Sequence, residues 1–266
     1  MSRQPPVSKQ ETFVDSNGRS ERARVSVIVP VLNEASRIDS LLQELQCFRQ
    51  AGHELIVVDG GSSDDTVKKA TLLCDQVLLS ETGRANQMNA GALKASGDVL
   101  LFHHCDSVLP AGAVSLMEAQ SNSGWGRFNV RLTGAHPMFR VIAFMMNWRS
   151  RLTGIATGDQ SLFIGKKLFE QVGYYPEQYL MEDIEISSRL KKISPPVCLK
   201  EEVTTSSRRW QKKGIWPTIL LMWRLRLSYF MGVSADQLVH QYYPNFRPGN
   251  EKNTDSVCKS SGPRKS

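Results

Sequence analysis

The chain has 266 residues, 41% hydrophobic and 22% charged, with a net charge of +7. This balance suits one sizeable globular core and excludes a collagen-like repeat or a wholly disordered chain. Its five cysteines (Cys47, Cys74, Cys105, Cys198 and Cys258) are odd in number and form no C-x-x-C pair, so neither a zinc ribbon nor a disulfide framework is signalled, and a reducing compartment fits best.

Charge is segregated along the chain. Residues 25–126 carry 6 basic and 12 acidic side chains, whereas residues 127–226 carry 17 basic and 8 acidic. A basic second half suits phosphates, an anionic membrane surface or nucleic acid; a merely solvated basic face is the bland alternative. Residues 1–24 are polar and mixed in charge, with no apolar core that would mark a secretion signal. They read as a disordered tail, as do the basic residues 244–266, leaving one domain over 25–243.

Residues 25–31 are short, apolar and β-branched, the pattern of a strand buried on both faces, with Pro30 ending it. Apolar residues at Ile38, Leu41, Leu42, Leu45 and Phe48 predict one amphipathic helix over 34–50, closed by Gly52. A second strand at 54–59 ends in Asp59. Gly60 and Gly61 then turn the chain, and residues 62–66 supply N-cap side chains. A third strand is expected at 76–79, a small-residue helix at 83–95 with Gly91 permitting close packing, and a fourth strand at 98–102. This alternation argues a parallel sheet with right-handed crossovers.

The pattern then changes. Strands are expected at 124–133, 161–165 and 197–199, and helices at 138–152 and 181–192, the latter stopped by Pro195-Pro196. The apolar stretch 215–233 approaches a membrane span in length, but Arg224 and Arg226 make spanning expensive. A core helix and an interfacial helix rich in Trp, Tyr and Arg both fit it.

Candidate chemistry gathers where strands end, since ligands of open α/β sheets bind outside the carboxyl ends of the strands. Pro30, Asn33 and Glu34 follow the first strand, Asp59 ends the second, and His103-His104-Cys105-Asp106 follows the fourth. Carboxylates gathered at one edge repel unless they meet a cation or hydrogen-bond donors. For Asp59, a turn-forming role with Gly60 and Gly61 competes with ligand binding. The His-His-Cys-Asp cluster has three readings: a transition-metal site, a hard-cation site built on Asp106 for a phosphorylated ligand, or a plain polar strand end. Adjacent His103 and His104 would point to opposite faces of a strand and share no metal easily, whereas His104 and Asp106 can share a face. Arg84, at the start of a helix that also carries Gln87, offers a planar donor fork for phosphate. Glu182 and Asp183 are either helix-start acids or the source of a general base.

The segments Val27-Ile28-Val29-Pro30-Val31-Leu32-Asn33-Glu34, Ile56-Val57-Val58-Asp59-Gly60-Gly61-Ser62-Ser63-Asp64-Asp65-Thr66, Gly83-Arg84-Ala85 with Gln87-Met88-Asn89-Ala90-Gly91, Gly158-Asp159-Gln160, Met181-Glu182-Asp183 and Arg208-Arg209-Trp210 resemble, in their order and spacing, the family 2 glycosyltransferases. The likeness is closest to a short subgroup associated with radical-SAM or selenium-domain proteins. It covers about residues 25–246.

The resemblance implies an α/β fold, a single GT-A (Rossmann-like) domain with a mixed, mainly parallel sheet flanked by helices. It implies a hexosyltransferase-like enzyme that moves a sugar from a UDP- or GDP-sugar to an acceptor hydroxyl with inversion. Asp183 would be the catalytic base, with Glu182 beside it. Pro30, Asn33, Glu34, Asp59, Gly60, Arg84, Gln87, Asp106, Arg208 and Trp210 would bind the nucleotide-sugar, and Asp159 and Gln160 would lie on the acceptor side. Asp106 and His104 would hold a divalent cation, Mn or Mg; His104 stands where the family's metal motif has an acid. No Gln stands three residues before Arg209, so the family's Gln-x-x-Arg-Trp element is only partly present. The enzyme is expected in the cytoplasm, with 215–231 as its candidate peripheral contact with the inner face of the membrane, and without a nucleic-acid partner. The alternatives are a nucleotidyltransferase and a non-catalytic nucleotide-sugar or membrane-surface binding module.

Overall fold

The computed structural model describes residues 22–120 and 124–243. The expected C-terminal tail, and the N-terminal one up to residue 21, lie outside the described residues. Strands β1 (Val25–Val31), β2 (Glu54–Asp59), β3 (Gln76–Leu79), β4 (Val99–Phe102), β5 (Ser107–Val108), β6 (Trp125–Leu132), β7 (Leu162–Gly165) and β8 (Val197–Thr205) form one sheet in the order β3-β2-β1-β4-β7-β6-β8-β5. The pairs β2–β3, β1–β2, β1–β4 and β6–β8 are parallel, and β4–β7, β6–β7 and β5–β8 are antiparallel. The sheet is thus mixed and mostly parallel, as the sequence patterning predicts for its first half.

Helices α1 (Ile38–Glu44), α2 (Gln46–Gln50), α3 (Thr66–Ala70), α4 (Arg84–Lys94), α5 (Ala113–Glu118), α6 (Pro137–Thr153), α7 (Lys166–Gln171), α8 (Glu182–Leu190), α9 (Arg208–Lys213), α10 (Ile215–Phe230) and α11 (Ala235–Tyr242) surround it, with a short 3-10 turn at Gly158–Gln160. Alternation along the strands divides the core between the two faces of the sheet. Val27, Val29, Leu55, Val57, Val99 and Leu101 pack with Ile38, Leu42 and Phe48 of α1 and α2. Ile28, Ile56, Val58, Leu100 and Phe102 pack with Ala85, Met88 and Ala92 of α4 and Ile186 and Leu190 of α8. Each fully buried aliphatic side chain contributes about 1.5–3 kcal/mol, which is why a run without polar alternation settles as a central strand.

Several expectations change. Pro30 does not end β1: its face of the strand looks toward β4, whose pairing with β1 stops at Ile28, so no ladder bond needs its missing N–H. The helix expected over 34–50 is two short helices that break at Leu45. Strand β8 continues to Thr205, well past the expected 199, because Lys200, Glu201 and Glu202 interrupt its apolar pattern while staying exposed. The stretch 215–233 ends as a helix at Phe230, and α11 follows.

Two satellite clusters tie these later helices down. Leu132, Phe139 and Ile142 pack with Trp210, Ile215 and Ile219, and Met181 packs with Leu225 and Leu238. Among the described residues, no helix is long and apolar enough to cross a membrane.

Candidate active site

Strands β1, β2 and β4 run parallel, so their carboxyl ends open on one edge. The loops that leave β1 and β2 are stitched together there. Asn33, at φ 55°, donates its N–H to Ser62 Oγ at 2.8 Å and accepts at Oδ1 from Ser63 N at 2.9 Å. The Glu34 N–H reaches Thr66 Oγ1 at 2.8 Å, while its carboxylate turns back to Arg37 at 2.6 Å. Asp59 is 1% exposed, and its carboxylate accepts from Gly61 N at 2.9 Å, Ser62 N at 2.8 Å and the Ser62 hydroxyl. Its first role is therefore the turn-forming one.

Gln87 differs from its expected role. Its Nε2 donates to Val31 O at 2.7 Å and Val58 O at 2.8 Å, and its amide fills the space beside Gly60. Both amide hydrogens are used inside the fold, so Gln87 ties the ends of β1 and β2 rather than reaching for a ligand. Arg84, at the first turn of the same helix α4, is exposed.

Strand β4 stops at Phe102, so the His-His-Cys-Asp cluster lies on a turn and not on a strand. His103 is fully buried, with Nδ1 2.8 Å from Ser161 Oγ and Nε2 2.9 Å from Ser107 O; burial pushes its pKa down to about 3. Burial also pushes the Cys105 thiol up to about 12, which disfavours the thiolate a soft metal needs. The described residues hold no group of three or more His, Cys, Asp or Glu that could bind a metal, so the transition-metal reading fails.

His104 is different. It is 6% exposed, its ring lies against Gly158, and its Nδ1 is buried without a hydrogen-bond partner, 3.6 Å from Asp159 Oδ1. Asp106, more exposed, has Oδ2 3.6 Å from the Arg208 guanidinium at the start of α9. Burial opposes the charge on Asp159, but the His104 ring, Arg84 and Arg209 outweigh it and hold its carboxyl below the usual range.

Gln160 and Trp210 also change roles. Gln160 is fully buried, with Oε1 accepting from Thr157 N at 3.2 Å, so it cannot face an acceptor. Trp210 is half-buried against the Leu132–Phe139 cluster, so packing is its first role.

The acidic pair opens α8. Met181, its N-cap, sits in the left-handed region at φ 64° and packs on Leu225 and Leu238, which fixes the angle at which the helix begins. A non-glycine residue there costs about 1–2 kcal/mol, supplied here by the surrounding packing. Glu182 is 7% exposed; burial, and then the charge of Asp183, pushes its pKa up to about 7. Asp183 is half-buried and accepts from Gly158 N at 3.1 Å and Ile184 N at 2.8 Å. Burial raises its pKa as well, and these two donors oppose the rise. Gly158 thus touches both halves of the site, through the His104 ring and through Asp183.

Sequence reasoning missed two cations here. Arg149, on α6, has Nε and Nη2 buried without partners; burial pushes its pKa down, and the charge of Asp183 opposes that. Arg209 lies 3.4 Å over the Tyr242 ring, and its Nε is likewise unpartnered. For Arg149 the Arg-rich composition of 127–226 was the only signal, and it names no position; Arg209 stood in the Arg-Arg-Trp string with no role assigned to it.

Residues 26–121 match the model of glycosyl transferase family 2. An uncharacterized glycosyltransferase of Mycobacterium tuberculosis is 29% identical over 191 residues, 66% of this chain and 72% of that protein. The structure of S. aureus TarS 1–349 superposes with a TM-score of 0.54 at 21% identity, covering 69% of this chain and 60% of that one. A mannosyltransferase from Pyrobaculum calidifontis, solved with GDP-Man and Mn2+, gives the same TM-score of 0.54 at 21% identity, covering 86% and 67%. At these identities the structural likeness speaks for the fold alone, which is GT-A. The transferase matches displace the nucleotidyltransferase and the non-catalytic module. The matched segment holds the stitched ends of β1 and β2 with Arg84, and the GT-A frame carries on through the α8 acids: over residues 26–121 the chain is similar to glycosyl transferase family 2, within a GT-A fold.

Proposed function

We propose that this enzyme transfers a sugar from a UDP- or GDP-sugar to an acceptor hydroxyl, with inversion at the anomeric carbon and Asp183 as general base. The observation that carries this reading is the held carboxylate of Asp183, oriented by Gly158 N and Ile184 N and within the electrostatic reach of Arg84 and Arg149. Two backbone donors fix its direction and favour its anionic form, as a proton acceptor requires. Buried Glu182, which titrates near neutrality, takes on charge reluctantly and so spares Asp183 a second negative neighbour.

Asp183 takes the acceptor's hydroxyl proton as that oxygen bonds to the anomeric carbon. The bond to the nucleoside diphosphate breaks on the opposite side and its electron pair leaves with the diphosphate. Arg208, 3.6 Å from Asp106, supplies positive charge for the developing anion on that side. Asn33, Asp59 and Gly60 form the stitched floor for the base and ribose.

The unpartnered His104 Nδ1 and the Asp106 carboxylate, two residues further on, would hold a divalent cation, Mn or Mg, as its two protein ligands, completed by the donor's phosphates. When bound, the cation supplies charge neutralisation for the diphosphate. The Pyrobaculum mannosyltransferase, bound to GDP-Man and Mn2+, supports this donor and cation.

Asp183→Asn tests the proposal. Transfer should fall by about 10²–10⁴-fold. UDP or GDP with Mn2+ should still raise the melting temperature by a few degrees, as for the unaltered enzyme. Unchanged turnover in this variant would remove Asp183 from the base role.

A further inference from the structure

Helices α6 and α10 each turn one stripe of large apolar side chains outward. On α10 these are Trp216, Leu220, Trp223, Leu227 and Phe230, which are 58–88% exposed. Their spacing confines them to a sector of about 80° on the helix. On α6, Val141, Phe144, Met145, Trp148 and Leu152 are 49–63% exposed. The two helices adjoin through Ile142, Met146, Ile215 and Ile219, residues on their other faces, so neither stripe lines the other. Proteins rarely leave apolar patches of this kind bare without a use for them.

The charges beside the stripes identify the occupant. Arg224 and Arg226 stand about 80° to either side of the α10 stripe, and Arg151 borders the α6 stripe in the same way, whereas the head of Arg149 turns inward. Residues 137–153 and 208–230 together carry nine Lys and Arg and no acid. Tryptophans on a stripe with arginines along its borders match the boundary of a bilayer, where the ring sits among headgroups and the guanidinium reaches phosphate on its aliphatic stem. Of the nine cations, Arg140, Arg151, Lys212, Lys213 and Arg224 are exposed, and a second copy of the chain would set five more such cations against them. Residues 1–21, 121–123 and 244–266 are polar and hold only scattered apolar side chains, too few to cover two stripes.

We infer that this face docks the enzyme on an anionic lipid surface, with α6 and α10 lying in the headgroup plane. The inference stands apart from the sugar-transfer reading, because it rests on the outer faces of two helices and not on the site. It does give the site a setting. Arg149 on α6 turns its head inward, within the electrostatic reach of Asp183, and α9 leads from Arg208 directly into α10, so the helices that carry the stripes also carry cations of the site.

The full chain should float with vesicles of phosphatidylcholine plus phosphatidylglycerol and much less with phosphatidylcholine alone, with a blue shift of tryptophan fluorescence. The double variant Trp223→Ser/Phe230→Ser changes only exposed positions. It should keep its melting temperature and lose roughly tenfold or more of the bound fraction. No flotation on the anionic vesicles, or equal flotation of the variant, would overturn the inference. So would a dimer by light scattering that the variant converts to monomer, because a second copy would then own the face.

Discussion

Glu182 and Asp183 are adjacent in the chain, yet their surroundings separate them: Glu182 is closed in, while Asp183 meets two backbone donors. The pKa of Glu182 is raised from 4.5 to about 7, so the folded protein holds this proton more tightly than the unfolded chain does. Its contribution to stability is full below the unfolded value and is lost as pH rises through about 7. Glu182→Gln, which carries no charge at any pH, should therefore flatten the rise of melting temperature on acidification, and should stabilise the protein at about pH 8 by roughly 1–3 kcal/mol. Calorimetry across that range reads both effects.

Arg149 makes the opposite kind of prediction. Its unpartnered nitrogens bring a desolvation cost with no hydrogen bond in return. Arg149→Met should leave stability unchanged or raise it by about 1 kcal/mol, while turnover falls by roughly tenfold or more. A merely structural Arg149 would give the reverse, a lower melting temperature with turnover kept. The acids of this site were legible because they stand in recognisable strings. Arg149 was not, because an arginine on an amphipathic helix looks the same in sequence whether it faces water or turns inward toward a carboxylate.

At the scale of elements, α4 sets the spacing of the sheet edge. A Cβ on Gly91 would sit 2.5 Å from Ile28 Cγ2 and 3.0 Å from Val58 Cγ2. Gly91→Ala gains about 1 kcal/mol of helix propensity but forces apart a helix and two strands, an overpacking cost of about 1–3 kcal/mol. The variant should be destabilised on balance in urea unfolding. It should also weaken donor binding, because the same helix carries Gln87, whose amide joins the ends of β1 and β2.

The elements most legible in sequence were β1, β2 and β4, whose unbroken apolar runs can only be stable when buried on both faces. Those least legible were β8 and the helix pair α1 and α2. In β8 charged residues occupy exposed positions before the short stretch, Thr204 and Thr205, where β5 covers its other edge. Over 34–50, the apolar spacing continues across a break that periodicity cannot register.

For the molecule as a whole, sequence composition already separates an acidic half from a basic one, and the fold gives that division a use. The acidic half supplies the parallel strands β1 to β4 and their loops, and the basic half supplies α6, α9 and α10, which bring cations to the site and to an exposed apolar face. By itself the sequence determined the α/β order, the buried strands, the edge on which their ends meet and the family to which these segments are similar. These depend on local periodicity and on short strings of residues, which a linear chain records directly. Only the tertiary structure decided that Gln87 and Gln160 are internal ties, that His104 neighbours Asp159, that Asp106 meets Arg208, and that α10 buries one side and exposes the other. Each of those outcomes depends on partners distant in the chain, and so on which side chains remain to satisfy a buried atom once the backbone has been placed.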